Sequence, residues 1–241
     1  MPAMPATWER LSLADATVAE TGRWSVWFVA ETGSTNDDLV AFADAPDRTV
    51  LVAGHQTGGR GRLGRRWEAP PRANLLASML FRDVPEQPGD LTRAVGIAAV
   101  DAVAVVSGLQ TRLKWPNDVL LDGRKLAGIL AQRSGAGAVV VGIGLNVGWA
   151  PEGAARLGSG VEPVAVLTEL LRGMQSPPAD GHDRYRALLD TLGRRVRVEL
   201  PSGDVVGRAV DVDRDGRLNV VDDCAITHHI DAGDVVHLRE V

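Results

Sequence analysis

Residues 114–130 read KWPNDVLLDGRKLAGIL, and this stretch holds both lysines of the 241-residue chain, Lys114 and Lys125. Its apolar residues form short runs, which are separated by Asn117-Asp118 and by Asp122-Gly123. An Asp-Gly pair between two apolar runs is a strong signal for a tight hairpin turn. The stretch therefore predicts short strands that are joined by tight turns.

Every other basic residue is an arginine, and Lys and Arg together number 26. Lysine carries a compact charge on a flexible stem, whereas arginine carries a broad planar fork. Two lysines kept in one stretch therefore indicate a place where a guanidinium does not fit. Taken alone, chance or ordinary surface charge explains the two lysines equally well, so the neighbouring motifs have to decide.

Apolar periodicity on both sides of this stretch predicts an α+β domain. Ser34 and Thr35 precede two acidic residues and an apolar run, which is the pattern of a helix start. The predicted strands are residues 24–30, 50–55, 75–81, 113–115, 119–121, 126–132 and 138–145. The predicted helices begin near Thr35 and at residues 91–106, 164–174 and 183–192, with a Pro-rich loop at 176–181.

The pattern changes after Gly193, where short β-rich runs are separated by Pro-Ser-Gly, Asp-Arg-Asp-Gly and Asp-Ala-Gly. Several short strands in such a short segment predict a small β-barrel. We therefore expect an N-terminal arm with some helix at residues 1–22, a mixed-sheet domain at residues 23–192 and the barrel at residues 193–241.

The charge balance argues against a general nucleic-acid binder, because the net charge is −5 and such proteins usually carry a basic excess. No apolar run is long enough to span a membrane, and the N-terminus lacks the pattern of a signal peptide. The single cysteine, Cys224, excludes an intrachain disulfide and fits a reducing compartment. We expect a cytoplasmic protein that binds neither nucleic acid nor membrane.

The stretch GGRGRLGRRW at residues 58–67 is a glycine-arginine loop with a formal GxGxxG at Gly59, Gly61 and Gly64. A dinucleotide fingerprint has to open a helix, and Pro70-Pro71 forbids one here. The Gly-Lys-Ser/Thr of a P-loop is also missing. Four arginines in a protein of negative net charge predict an anion site, because phosphate and carboxylate both match the guanidinium fork. A solvated surface loop and an RNA-binding element remain alternatives.

Four segments, in this order, resemble biotin protein ligase. They are GRGRLGRRW at residues 59–67, KWPND at 114–118, RKLAGIL at 124–130 and GIGLN at 142–146. The helix entry ETGSTN at 31–36 and the tail GDVVHLR at 233–239 also fit, so the resemblance covers residues 24–241.

The resemblance implies a mixed β-sheet with flanking helices, like the catalytic domain of class II aminoacyl-tRNA synthetases, and a small C-terminal SH3-like β-barrel. It indicates the short, monofunctional class, without a DNA-binding domain and without a repressor function. Too few residues precede the first predicted strand to form the winged helix of the longer members.

The resemblance further implies a ligase that activates biotin with MgATP to biotinyl-5′-AMP. Biotin then passes to a lysine of the biotin carboxyl carrier domain of acyl-CoA carboxylases. Mg²⁺ is expected to come with ATP and not to sit in a cage of protein ligands. The chain is expected to be a monomer or a weak homodimer.

Catalytic roles follow from the same matches. Lys125 matches the lysine between the biotin carboxylate and the α-phosphate, while Arg60 and Arg62 match loop arginines that hold the adenylate. Cations between two anions lower the barrier by electrostatic stabilisation. Asp118 matches the acid near the incoming lysine of the carrier.

Binding roles are assigned in the same way. The biotin site is matched by Ser34, Thr35, Asn36, Gln56 and Gly59, together with Arg60 and Lys125. Neutral donors and acceptors suit the uncharged ureido ring of biotin. The ATP and adenylate site is matched by Arg62, Arg65, Trp67, Asn117, Asn146 and Lys125. Trp67 is expected to stack on adenine as residues 57–67 close over the ligands.

Other functions stay open at this point. A lipoate or octanoate ligase or transferase would share the fold, although its motif RRxSGGGxVxHD is replaced here by Gly-Arg-Gly-Arg. An RNA-binding protein would use the glycine-arginine loop, although net acidity and few aromatic residues oppose it. A metal enzyme would use His228-His229 near Cys224, although adjacent histidines on a strand point to opposite faces. The role of Lys114 is not assigned.

Overall fold

The computed structural model describes residues 4–11, 24–42, 44–135, 137–175 and 181–238. Most of the predicted N-terminal arm lies outside the described residues, and so do residues 176–180 of the loop predicted at 176–181. Within residues 4–11 a short strand, β1 (Glu9–Arg10), pairs with the strand at Ser25–Val29, and the sequence patterns did not predict β1.

The larger of two sheets has eight strands in the order β1-β2-β3-β4-β8-β7-β6-β5. Its strands are β1 (Glu9–Arg10), β2 (Ser25–Val29), β3 (Thr49–Ala53), β4 (Leu75–Phe81), β5 (Arg112–Lys114), β6 (Asp118–Leu121), β7 (Arg124–Arg133) and β8 (Val139–Leu145). β2 and β3 run parallel and the other pairs run antiparallel. The predicted turn between β6 and β7 is confirmed, because Asp122 and Gly123 have φ values of 51° and 71°, as a two-residue hairpin turn requires.

The described helices are α1 (Thr35–Ala41), α2 (Gly89–Ser107), α3 (Pro163–Gly173) and α4 (Gly181–Leu188). They cover both faces of the sheet. Successive side chains of β4 point to opposite faces, and each face packs against different helices. Leu75, Ala77 and Met79 pack with α2 and α3, whereas Leu76 and Leu80 pack with α1. A strand that is buried on both faces reads as a continuous apolar run, and all seven residues of β4 are buried.

The smaller sheet has five antiparallel strands in the order β12-β11-β10-β9-β13. Its strands are β9 (Arg195–Glu199), β10 (Val205–Val212), β11 (Leu218–Asp222), β12 (Thr227–Ile230) and β13 (Asp234–His237). The five predicted strands are therefore present. In the described part of the chain β12 and β13 are the two edges and do not pair, so the sheet is open and does not close into a hydrogen-bonded barrel.

The two sheets are joined by one continuous apolar core, which includes Val196 and Val198 of β9 as well as the residues of α2. The predicted helix at residues 183–192 ends early, at Leu188. The reason is that Leu189 forms a parallel bridge with Leu113, and the amide of Asp190 donates to the Leu113 carbonyl at 2.7 Å. None of the described helices is long and apolar enough to cross a membrane.

Candidate active site

A cavity of about 240 Å³ lies against β4, β7 and β8, beside the N-terminus of α1. It gathers nearly all the site residues predicted from the sequence. These are Ser34, Thr35, Asn36, Gln56, Arg60, Arg62, Arg65, Trp67, Asn117, Asp118, Lys125 and Asn146. Gly59 lies behind the wall, where a Cβ would come within 2.4 Å of the Trp67 carbonyl oxygen, so only glycine fits there.

One corner of the cavity is a network of neutral polar groups. The Gln56 side-chain oxygen accepts from the Thr35 amide at 2.8 Å, and the Thr35 hydroxyl lies 2.6 Å from that of Ser78. The Ser78 hydroxyl donates to Asn36 Oδ1 at 2.6 Å, and Asn36 Nδ2 donates to Gln132 Oε1 at 2.7 Å. The corner therefore offers hydrogen-bonding groups without a net charge, which suits a neutral amide or urea.

The start of α1 places this corner. Ser34 has an extended backbone and its hydroxyl accepts from the Asp37 amide, so it caps the helix as the sequence predicts. The cap turns Thr35 and Asn36 inward, where both are buried. Ser78 was missed by the sequence analysis; the only signal for it is one hydroxyl within the apolar run of β4.

Lys125 and Asp118 form an ion pair at the centre of the site, with 2.7 Å between Nζ and Oδ1. They face each other because β6 and β7 pair with a register shift next to Asp118, between Val119 and Leu120. On the other side of β6, Lys114 is the cross-strand partner of Asp118. Burial lowers the pKa of Lys114, and the nearby Lys125 adds to this, while Asp118 opposes it.

Trp67 lies flat against the sheet and not at the free tip of the loop. A Cβ on Gly144 would come within 2.4 Å of the indole, so the strand has to be glycine there. The Lys125 ammonium lies 5.7 Å from the ring centroid, within reach of a cation–π contact. Among the described residues the indole Nε1 has no hydrogen-bond partner. Stacking of Trp67 on adenine stays a prediction.

The glycine-arginine loop is folded back on itself. A bridge joins Arg60 to Arg66, and a single 3₁₀ turn spans Arg62–Gly64 with Leu63 exposed at its tip. The Gly61 amide donates to the Arg65 carbonyl at 2.6 Å. The loop therefore has a defined conformation in which its guanidinium groups point to the cavity.

Each of the three predicted anion-binding arginines has a partner in the protein. Arg60 lies 3.0 Å from a carboxylate oxygen of Asp37 in α1. Arg62 donates to the Gly233 carbonyl at 3.1 Å and lies 3.4 Å from Asn117 Oδ1. Partial burial lowers the pKa of Arg62, which Asp118 opposes. Arg65 forms an ion pair with Asp234 of β13.

Asn117 and Asn146 line the cavity, but their amide groups are engaged within the protein. Asn117 Nδ2 donates to the Ile129 carbonyl at 2.7 Å. Asn146 Nδ2 donates to the Ala155 carbonyl at 3.0 Å, and Asn146 Oδ1 accepts from Asn74 at 3.2 Å. Both residues therefore shape the wall of the site.

The histidines that raised the possibility of a metal site do not converge. His228 bonds to Asp222 at 2.8 Å, and His229 bonds to Asp213 at 3.3 Å. Nowhere in the described ranges do three or more His, Cys, Asp or Glu side chains come together as a metal site would need.

Comparison with known proteins gives a consistent result. Residues 27–148 match the biotin/lipoate A/B protein ligase family, and residues 191–238 match the biotin protein ligase C-terminal domain. The chain is 44% identical to the biotin–[acetyl-CoA-carboxylase] ligase of Mycobacterium tuberculosis over 95% of both chains. It is 37% identical to the enzyme of the same name from Paracoccus denitrificans, over 68% of this chain and 74% of that one.

Among solved structures, the fold is similar to that of biotin protein ligase from Aquifex aeolicus in complex with biotin and ATP. The TM-score is 0.77 and the sequence identity is 26%, over 89% of this chain and 99% of that one.

Proposed function

The chain belongs to the biotin/lipoate A/B protein ligase family, and from this premise we propose that it activates biotin with ATP and transfers it to a lysine of a biotin carboxyl carrier domain. One observation of the site carries the proposal. The Lys125–Asp118 pair, the loop arginines and the neutral corner all face one cavity. Identity of 44% to a biotin ligase over nearly the whole chain favours biotin over lipoate as the substrate.

In the first step a biotin carboxylate oxygen attacks the α-phosphorus of ATP. The bond from that phosphorus to the oxygen bridging it to the β-phosphate breaks, and pyrophosphate leaves with the electron pair. Both reactants are anions, so their approach is opposed by charge repulsion. Lys125 and Arg62 supply cations beside the reacting groups, and fixed cations act strongly where water is excluded.

Biotin would lie with its ureido ring in the neutral corner formed by Thr35, Asn36 and Gln56. Their hydrogen bonds to one another fix the donors and acceptors before the ligand arrives. The carboxylate of biotin would then point to Lys125. Pre-organised polar groups of this kind select a neutral ring without attracting a charged one.

In the second step the amine of the carrier lysine attacks the carbonyl carbon of the mixed anhydride. The bond from that carbon to the phosphate oxygen breaks, AMP leaves, and an amide forms. The attacking nitrogen has to lose a proton. The Asp118 carboxylate, on the cavity wall, would orient the amine and accept that proton.

Mg²⁺ would enter with the phosphates of ATP. It is commonly held by one or two carboxylates and by substrate phosphates, and Asp118 on the cavity wall is a carboxylate that would share it with the phosphates. When bound, the ion neutralises part of the charge that builds up on the phosphates.

Three finer points belong to the same proposal. The carrier would be that of an acyl-CoA carboxylase, since the Mycobacterium tuberculosis relative is named for acetyl-CoA carboxylase. A division into domains at residues 192 and 193 is supported by the change from the large to the small sheet. A monomer or weak homodimer stays a prediction.

The experiment is incubation of the protein with biotin, MgATP and a purified carrier domain. We expect the carrier to gain the mass of one biotinyl group, and a carrier whose acceptor lysine is replaced by arginine to gain nothing. Lipoate and octanoate in place of biotin test the rival function. Preferential transfer of either acid would overturn the proposal.

A further inference from the structure

Two contacts reach from the small sheet into the active site. One comes from Gly233, at the end of the turn between β12 and β13, and the other from Asp234, the first residue of β13. The Gly233 carbonyl accepts from Arg62 at 3.1 Å, and the Asp234 carboxylate forms an ion pair with Arg65. Asp234 itself lines the cavity. The smaller domain therefore holds two arginines of the glycine-arginine loop.

The position of this turn is fixed by packing. A Cβ on Gly233 would come within 2.6 Å of Val198 and 2.9 Å of Leu200, so the turn lies tightly against β9. Asp234 is in addition the cross-strand partner of Glu199 in the pair of β13 with β9. The carboxylate is thus held at one place at the rim of the cavity.

The ion pair of Arg65 with Asp234 is partly exposed, so a ligand can reach the guanidinium. The Arg65 side chain is 58% exposed and that of Asp234 is 26% exposed, so the contact is hydrated and accessible to a ligand. Exposed ion pairs are weak, while phosphate is a stronger partner for the guanidinium fork. A phosphate that reaches Arg65 has to displace Asp234 or share the guanidinium with it.

We propose that Asp234 is a resident counter-ion for Arg65, which holds this arginine at the cavity until the phosphates of ATP take the place of the carboxylate. Asp234 is then a positioning residue that the C-terminal domain contributes to nucleotide binding. Gly233 keeps Arg62 in place during the exchange, since a backbone carbonyl adds no net charge that competes with phosphate. The inference rests on the proposed function in taking ATP as the source of the phosphates.

The test compares three single variants. Asp234→Asn removes the competing charge but keeps the size of the side chain. Asp234→Glu keeps the charge and is expected to behave as the wild type. Asp231→Asn is the matched control, because Asp231 lies in the same turn and pairs with Arg217 at 2.5 Å, away from the cavity.

Calorimetric binding of inorganic pyrophosphate, without biotin, is the primary measurement. Removing one partly screened charge is expected to tighten pyrophosphate binding about threefold in Asp234→Asn, with no change in Asp231→Asn. In an Arg65→Ala background the effect of Asp234→Asn should disappear. Unchanged or weaker pyrophosphate binding in Asp234→Asn, or an equal effect of Asp231→Asn, would overturn the inference.

Biotin-dependent exchange of pyrophosphate into ATP is measured on the same variants. We expect the KM for ATP to fall in Asp234→Asn while the KM for biotin stays the same, a split that a general loss of structure does not produce. A wild type that binds pyrophosphate but shows no such exchange would count against the proposed function alone, because the calorimetric comparison does not depend on biotin activation.

Discussion

The indole of Trp67 lies so close to Gly144 that no side chain fits between them, since a Cβ would come within 2.4 Å of the ring. Trp67 closes the glycine-arginine loop and Gly144 is the last residue but one of β8. The contact therefore ties the glycine-arginine loop to the sheet. Any change in this contact moves the arginines and the wall of the cavity together.

Gly144→Ala should accordingly destabilise the fold and weaken biotin binding. Overpacking of this kind usually costs about 1–3 kcal/mol. Urea unfolding measures the cost. Gly135→Ala is the control, because open space surrounds Gly135. In a Trp67→Ala background the cost of Gly144→Ala should shrink, and additive effects of the two substitutions would show that the contact is not the cause.

Lys125→Ala should abolish adenylate formation and leave the fold intact, because the side chain is 39% exposed. Loss of one charge-stabilising group at a reacting centre typically costs about a hundredfold or more in rate. Biotin-dependent pyrophosphate exchange is the readout and thermal unfolding checks the fold. The neighbouring Arg124→Ala, exposed on the same strand, should keep full activity. Near-normal exchange in Lys125→Ala would remove Lys125 from its proposed role.

Arg62→Gly should release the adenylate into solution. The variant loses a charge-assisted hydrogen bond, for which about 1.5–3 kcal/mol is typical, so release should be about tenfold faster or more. Chromatography of free biotinyl-5′-AMP measures the leak. Arg112→Gly, at an exposed position of the edge strand β5, serves as the control. An unchanged leak rate in Arg62→Gly would contradict retention of the adenylate by this arginine.

The free energy of unfolding should fall as the pH is lowered from 6.5 to about 4, the two values between which folding shifts the pKa of His237. Burial, followed by the charge of Lys114, lowers the pKa of His237 from 6.5 to about 4, and Asp190 only partly opposes this. As pH falls below 6.5 the unfolded chain takes up this proton first, so the free energy of unfolding declines between pH 6.5 and 4. Urea unfolding at pH 7 and at pH 5 measures this decline. In His237→Gln the free energy of unfolding should lose the part of the decline that His237 causes. The exposed His229→Gln should retain it.

Local sequence patterns predicted most helices and strands. The reason is that apolar periodicity and turn dipeptides determine the backbone conformation of residues that are close together in the chain. The helix start at Ser34 and the hairpin at Asp122-Gly123 are examples. The clustering of the arginines also indicated that they act together, and they line one cavity with Lys125, whereas anion binding there stays a prediction. The domain boundary and the individual roles in binding stay predictions.

Contacts between distant segments were not predictable. The bond of Ser78 to Asn36 depends on how α1 lies on β4, and the pairing of Arg65 with Asp234 depends on how the two domains dock. The same holds for Asn146, whose amide bonds to Asn74 and to the Ala155 carbonyl. Closure of the small sheet depends on the pairing of its first and last edges, which strand patterns do not specify.

The scarcity of lysine has a chemical consequence for the enzyme itself. Biotinyl-5′-AMP acylates any free amine that it meets, including amines of the ligase that makes it. The chain offers only two lysine amines, and one of them, Lys125, is held against the Asp118 carboxylate. An ammonium in such a pair has no lone pair with which to attack the anhydride. The enzyme therefore offers few amines that could compete with the acceptor lysine of another protein for the reactive intermediate.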